Sequence, residues 1–325
     1  MWPIEIDKAT YKCLIIKKGF DDMRSPARGN KIMFFILLYL IGLQFLLVPV
    51  VMLFDISELY LTAVIQVVGL FFPFLLYLLV TKQKVGDVLK LAPFNLKMVL
   101  IIFVITIAAF PVVMLISDLS TFIFIPMASE MNLNAYPLWQ AILIIGVFPA
   151  LFEEFIFRGV LQHEYEGVSL KKRALITGLF FGIIHLNFHQ SIYAGLFGIL
   201  YAYLYYYTKT IWAPVLWHFL HNGLFVLWER ITFFQDLSHT MEDNFLASIL
   251  ILGGISIIAI PILAFCFKKL NTKTPVTEQV MIEEEQESTI AEEKQPTYTW
   301  GFWATIGLFI AFAGLIELAL RLANF

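Results

Sequence analysis

Along most of this chain apolar residues do not alternate with polar ones but form long runs separated by short polar segments. A helix that crosses the apolar core of a bilayer, about 30 Å thick, needs about 20 mostly apolar residues. Such runs are predicted to be helices because lipid offers no partner for backbone N–H and C=O groups. The runs are residues 32–54, 60–80, 98–126, 138–163, 172–187, 191–208, 211–228, 245–267 and 300–320. The pattern predicts an all-α fold, a polytopic membrane bundle of about nine transmembrane helices.

The composition agrees with this prediction. Of the 325 residues, 60% are hydrophobic and 14% are charged, whereas a soluble domain has about 25% charged residues. The mean hydropathy is +0.81. A soluble core of this size could not hide so much apolar surface, which excludes a cytosolic globular enzyme and a nucleic-acid-binding protein. The two cysteines, Cys13 and Cys266, lie in no metal-ligand spacing.

The distribution of lysine and arginine predicts the orientation of the bundle. If nine spans alternate in direction, only Arg230 and Arg321 of the 22 basic residues fall on the side opposite to the N-terminus. Basic residues accumulate in cytoplasmic loops. The sequence therefore predicts a multi-pass integral membrane protein with a cytoplasmic N-terminus, located in the plasma membrane if its source is bacterial.

The same pattern divides the chain into six regions. Residues 1–31 are predicted to be a cytoplasmic extension, and residues 268–299 a solvated, Glu-rich cytoplasmic loop. The remaining regions are membrane segments: three accessory helices in 32–127, four helices with candidate chemistry in 138–228, an eighth helix at 245–267 and a ninth within 300–325.

Ionisable side chains inside a membrane span are costly, about 2.5–3.5 kcal/mol each at the bilayer centre on insertion scales. In this chain they concentrate between residues 138 and 228. Glu154 and Arg158 are four residues apart, so they share a helix face and are predicted to form an ion pair that supports the structure. Glu153 points about 100° away from Glu154 and has no local countercharge, which makes it a candidate general base.

Histidines on two later spans complete the candidate chemistry. His185 closes the fifth predicted span, and His218 and Asn222 lie one turn apart on the seventh. Two stacked donors of this kind can hold a developing oxyanion. No HExxH motif occurs on any helix, so the metal-binding signal is weak.

Three motifs now stand in order: Glu-Glu-x-x-x-Arg at 153–158, Phe-x-x-x-His at 181–185 and His-x-x-x-Asn at 218–222. Together they resemble the CPBP family, the CAAX proteases and bacteriocin-processing enzymes that are also called Abi-type and include the Ras-converting prenyl protease. The resemblance covers residues 138–228. It implies an intramembrane endopeptidase in which Glu153 and His185 activate a water molecule. His218 and Asn222 would then stabilise the oxyanion, while Glu154 and Arg158 support the site.

The resemblance leaves the metal question open, since the family has been described both as metalloproteases and as metal-free, glutamate-dependent enzymes. Asn222 is a poor zinc ligand, so we expect no cofactor. The alternative is zinc bound by His185, His218 and Glu153. The expected partners are a membrane-associated peptide or lipidated protein and the lipid bilayer, with no nucleic acid.

Two other functions compete with proteolysis. A bacteriocin-immunity or scaffold protein could keep this fold without catalysis, although a degenerate member would be expected to lose one of the motif residues. A proton-coupled transporter could use Glu153 as a relay. It would need charges along a through-path, and the first, second, sixth and eighth predicted spans offer essentially none.

The peptidase hypothesis also makes a geometric demand. Because a helix rises 1.5 Å per residue, Glu153 and His185 could not meet if the fourth helix ended at Arg158. They can meet if that helix continues to about Tyr165, kinked after Pro149, and the fifth begins near Leu170.

Overall fold

The computed structural model describes residues 24–93, 95–126, 131–271 and 296–323. Most of the predicted N-terminal extension and of the Glu-rich loop therefore lies outside the described residues. In the described part the regular structure is entirely helical, in eleven helices. They are α1 (Pro26–Phe54), α2 (Glu58–Thr81), α3 (Val85–Leu89), α4 (Leu96–Ser120), α5 (Leu138–Glu164), α6 (Leu170–Ile183), α7 (Phe188–Thr208), α8 (Trp212–Trp228), α9 (Thr232–Asp243), α10 (Phe245–Leu270) and α11 (Trp300–Ala323).

All nine predicted spans are helices. Among the described residues, six of them (α1, α2, α4, α5, α10 and α11) are long and apolar enough to cross a membrane. Helices α6, α7 and α8 fall short of that measure because they are shorter or richer in polar residues. The all-α, polytopic fold is thus confirmed, while the number of nine spans stays a prediction.

Several predicted boundaries were wrong. Helix α1 begins six residues earlier than predicted, at Pro26, because proline is well suited to the first helical turn. Helix α4 ends at Ser120 rather than at residue 126, since residues 121–124 form turns although they are apolar. Helix α6 ends at Ile183 rather than at residue 187, and Leu186 follows with a φ of 59°. The short helix α3 and the polar helix α9 were not predicted.

Charge and apolar surface are distributed as in a membrane protein. Glu154 and Arg158 have no exposed surface, whereas Leu53, Leu79 and Ile257 are 74–78% exposed. Such an apolar exterior would be a liability in water, but it suits contact with lipid. The chain is therefore an integral membrane protein whose polar side chains face its interior.

Helices α6 and α7 form a hairpin in which glycines bring the two backbones into contact. A Cβ atom added at Gly182 would lie 2.4 Å from the carbonyl oxygen of Ser191, and one added at Gly198 would lie 2.8 Å from the Cα of Gly178. Small residues permit this close approach in membrane helices. This contact holds the C-terminal end of α6 against α7. His185 follows shortly after that end of α6.

Helix α5 runs without interruption to Glu164, and α6 begins at Leu170. This confirms the geometric demand that the peptidase hypothesis placed on the chain. Both glutamates at 153–154 consequently lie well inside α5 rather than at its end.

Candidate active site

The two glutamates of α5 lie on a short α-helical stretch, Phe148–Glu154, between two π-helical stretches. The π-helical stretches are Ile142–Val147 and Phe155–Leu161. π-helical turns are rare and occur frequently at functional sites, because they change the direction in which neighbouring side chains project.

Glu154 is fully buried and has two cationic or ionisable partners. Its Oε2 lies 3.2 Å from Nε of Arg158, which confirms the predicted ion pair. Its Oε1 lies 3.0 Å from Nδ1 of His218. Arg158 also donates from Nη2 to the carbonyl oxygen of Gly198, 2.6 Å away, and its guanidinium lies 4.8 Å from the centre of the Phe181 ring. Glu154 and Arg158 therefore join α5 to α7 and α8.

Glu153 is 5% exposed and has a different set of neighbours. Its Oε1 accepts a hydrogen bond of 2.9 Å from Nε2 of Gln66 on α2. Its Oε2 lies 4.0 Å from Nε2 of His218 and makes no hydrogen bond with the described residues. One oxygen of this carboxylate is thus held while the other faces a histidine.

His218 lies between the two glutamates, with one ring nitrogen toward each. Because an ionised carboxylate can only accept hydrogen bonds, Nδ1 of His218 donates to Glu154, which leaves Nε2 directed toward Glu153. The ring stacks on Tyr201 at a centroid distance of 5.4 Å and meets the edge of Phe181 at 5.8 Å. These contacts fix the orientation of the imidazole.

His185 follows α6 in the turn that leads to α7, rather than ending the helix as predicted. Its Nδ1 lies 2.9 Å from the carbonyl oxygen of Phe181. When Nδ1 carries the proton and donates to this carbonyl, Nε2 is left as an acceptor. The His185 and His218 rings both pack against the Phe181 ring, at centroid distances of 5.6 and 5.8 Å. His185 in the α6–α7 turn and His218 on α8 thus share one aromatic neighbour, and His218 in turn lies 4.0 Å from Glu153 on α5.

Asn222 is also close to α5, but its amide is engaged there. Its Nδ2 donates to the carbonyl oxygen of Ile145, 2.9 Å away. Asn222 therefore ties α8 to the π-helical stretch of α5 that precedes Pro149. Its predicted role in binding an oxyanion stays a prediction.

Sequence reasoning missed two residues of the site, Gln66 and Tyr201. Both lie in long apolar helices and carry no charge at neutral pH, so the cost of burying a charge in a membrane does not distinguish them from their neighbours. A single amide within the apolar run of α2 is the signal that could have identified Gln66.

A zinc site needs at least three protein ligands around one point. No group of three or more His, Cys, Asp or Glu side chains among the described residues is placed to hold a metal ion, and the proposed set of Glu153, His185 and His218 is no exception. We therefore derive no catalytic step through a metal.

The fold and the site define a helical integral membrane protein with a buried carboxylate–histidine centre. Residues 135–224 match the family model described as type II CAAX prenyl endopeptidase Rce1-like. All three sequence motifs lie within this segment, so the match supports the resemblance to the CPBP/CAAX protease family.

A curated relative gives the same result. Over 124 residues the chain is 27% identical to a protein of Bacillus subtilis (strain 168) named "Putative membrane peptidase YdiL". The alignment covers 38% of this chain and 48% of that protein, so the chain spans about half the length of the curated relative it matches. No solved structure matches the chain.

Proposed function

We propose that this protein is an intramembrane endopeptidase that uses a water molecule activated by Glu153 and His185 to hydrolyse a peptide bond. The observation that carries the proposal is a buried Glu153 with His218 at 4.0 Å, next to a Phe181 ring that also contacts His185. Buried ionisable groups in a membrane span are expensive, and several of them from separate helices around one ring favour a reaction centre over packing alone.

Glu153 is the proposed general base. Its Oε2 is free of hydrogen bonds to the described residues, so it can accept a proton from water. The neutral His185 offers Nε2 as a second acceptor on the same side. The water oxygen then bonds to the substrate carbonyl carbon, and the C–N bond breaks as the proton passes from Glu153 to the leaving amine.

His218 is the proposed oxyanion donor. To present an N–H at Nε2 while donating from Nδ1, the ring must carry a positive charge, and the carboxylate of Glu154 at 3.0 Å stabilises that charge. A donor held before the reaction begins is the most effective kind of oxyanion stabilisation. In this proposal Glu154 acts through His218 and is a positioning residue.

The proposed substrate is a peptide presented at the membrane, in particular the C-terminal segment of a prenylated protein. The family description names a prenyl endopeptidase, and the apolar walls of this bundle suit a lipid chain. A small exported peptide such as a bacteriocin is the other substrate class that the family resemblance implies.

The first experiment measures cleavage of membrane-anchored peptides, including a farnesylated CaaX peptide, by purified protein. We expect Glu153→Gln to lower kcat by about 10³-fold or more, since general-base catalysis contributes about 10²–10⁴-fold. Glu58→Gln, which changes an exposed glutamate on α2, is the matched control and should cleave at the wild-type rate. Full activity of a folded Glu153→Gln variant would remove Glu153 from the mechanism.

The same assay addresses the cofactor. We propose a metal-free reaction, so a zinc chelator should leave the wild-type rate unchanged. Loss of activity with the chelator and its return with added zinc would instead assign His185, His218 and Glu153 to a metal. Absence of cleavage of every peptide by folded wild-type protein would favour the immunity or scaffold function.

A further inference from the structure

Gln66 stands out in α2 because it is a buried amide in an otherwise apolar stretch. It lies in the π-helical stretch Ile65–Phe71 and is 8% exposed. Its Nε2 donates to Oε1 of Glu153 at 2.9 Å, across 87 residues of sequence. It also lies outside the segment 135–224 that matches the protease family.

The hydrogen bonding of this amide is incomplete. Oε1 of Gln66, like Oε2 of Glu153, is buried and has no hydrogen-bond partner among the described residues. A buried polar atom without a partner costs about 1–3 kcal/mol. What distinguishes Gln66 is the group to which its Nε2 donates, the carboxylate of Glu153.

Gln66 and His218 act on different oxygens of Glu153. Nε2 of Gln66 donates to Oε1 at 2.9 Å, whereas Nε2 of His218 lies 4.0 Å from Oε2. An amide N–H fixes the orientation of the carboxylate without cancelling its charge.

We propose that Gln66 is a positioning residue for Glu153, holding Oε1 so that Oε2 faces His218 and the reacting water. This inference rests on the proposed function, because it assigns Gln66 a part in the base chemistry of Glu153. It extends the site beyond the family-matching segment to α2, one of the helices predicted to be accessory.

The test has a spectroscopic arm that does not depend on cleavage. The carboxyl bands of Glu153 are identified by infrared difference spectroscopy as those lost in Glu153→Gln at neutral pH. In Gln66→Leu, which keeps a similar volume but removes the donor, the Glu153 bands should shift. Gln162→Leu is the matched control, because Gln162 is equally buried and donates to the Ala202 carbonyl instead. Unmoved bands in Gln66→Leu would overturn the inference.

The kinetic arm separates positioning from general stability. Gln66→Leu should lower kcat by about 10–100-fold while KM stays within twofold, since a misplaced base affects the transition state more than binding. If Gln66→Leu fails to fold, Gln66→Glu retains a polar side chain and should likewise lower kcat and shift the bands. Wild-type activity in either variant would refute the role of Gln66, whereas an inactive wild type would refute the proposed function instead.

Discussion

Glu153 and Glu154 are neighbours in the chain, but their side chains contact different residues. Glu154 contacts Arg158 and His218 and joins α5 to α8. Glu153 accepts from a neutral amide, and its other oxygen makes no hydrogen bond with the described residues. The 100° turn between successive helical residues sends the two side chains to different neighbours, and the different roles proposed for them follow from those neighbours and not from the residue type.

Asn222 offers a test at the same scale. If the hydrogen bond from its amide to the Ile145 carbonyl stabilises the fold, Asn222→Ala should lower the free energy of unfolding by about 1–3 kcal/mol. In a Pro149→Ala background the backbone N–H of residue 149 can donate to that carbonyl. Asn222→Ala should then lower the free energy of unfolding by about 1 kcal/mol less than it does in the wild type. Thermal unfolding of the four proteins in one detergent measures the coupling.

If Asn222 instead binds the oxyanion, Asn222→Ala should lower kcat with little loss of stability. The effects of Asn222→Ala and Pro149→Ala on stability should then be additive. Additive effects would show that Asn222 does not serve the Ile145 carbonyl.

At the scale of helices, the α6–α7 hairpin decides where His185 lies. The glycines at its centre let the helices touch backbone to backbone, and Ser191 adds a hydrogen bond of 3.0 Å from its Oγ to the carbonyl oxygen of Gly182. Arg158 then reaches the carbonyl of Gly198 on the far helix. The hairpin is therefore part of the framework of the site.

We expect Gly182→Ala to destabilise the protein by about 1–3 kcal/mol, because the new Cβ would lie 2.4 Å from a backbone oxygen that cannot move away freely. Gly253→Ala in α10 is the matched control, since its Cβ would meet nothing within 4 Å. Alanine is the better helix former, so the control should be neutral or slightly stabilising. Equal melting temperatures for the two variants would contradict the close-packing argument.

At the scale of the whole molecule, the end of α5 is tied to distant parts of the chain. Glu164 accepts hydrogen bonds from Nε of Arg28 at 2.9 Å and from the hydroxyl of Tyr77 at 2.6 Å. Glu166 forms ion pairs with Arg24 and, at 2.7 Å, with Lys90. These contacts join α1, α2 and the α3 segment to the helix that carries the glutamates.

Glu166 lies beyond the membrane-spanning part of α5, and its ion pairs predict a dependence on pH. Burial acts to raise the pKa of Glu166, but the positive charges of Lys90 and Arg24 outweigh it and hold the pKa below the ordinary value. A depressed folded-state pKa stabilises the protein above the unfolded value, about 4.3 for glutamate, and that stability is lost as pH falls through the folded pKa.

Glu166→Gln should therefore lower the free energy of unfolding by about 1 kcal/mol at pH 7. The gap between wild type and variant should close as the pH falls below about 4. Asp87→Asn, at an exposed position in α3, is the control and should show no such gap. Melting curves at several acidic pH values measure the difference in stability between wild type and Glu166→Gln. A difference that stays constant with pH would rule out this contribution of Glu166.

The sequence by itself determined the helical membrane class, the order of the helices and the identity of the charged residues in the core. Long apolar runs have few alternatives in lipid, and a buried charge is expensive enough to be conspicuous in a sequence. The i,i+4 pair of Glu154 and Arg158 also followed from helical geometry. The extension of α5 to Glu164 followed from the apolar run 138–163 and from the requirement that Glu153 and His185 meet.

Only the tertiary structure decided which groups meet. The contacts of Gln66 with Glu153, of His218 with Glu154 and of Asn222 with the Ile145 carbonyl each join residues more than 60 positions apart. Hydrophobic periodicity carries no information about such pairs, because it specifies that a helix is buried and not which helix lies beside it. The end of α4 was also beyond the pattern, since a local turn at residues 121–124 interrupts a run that remains mostly apolar.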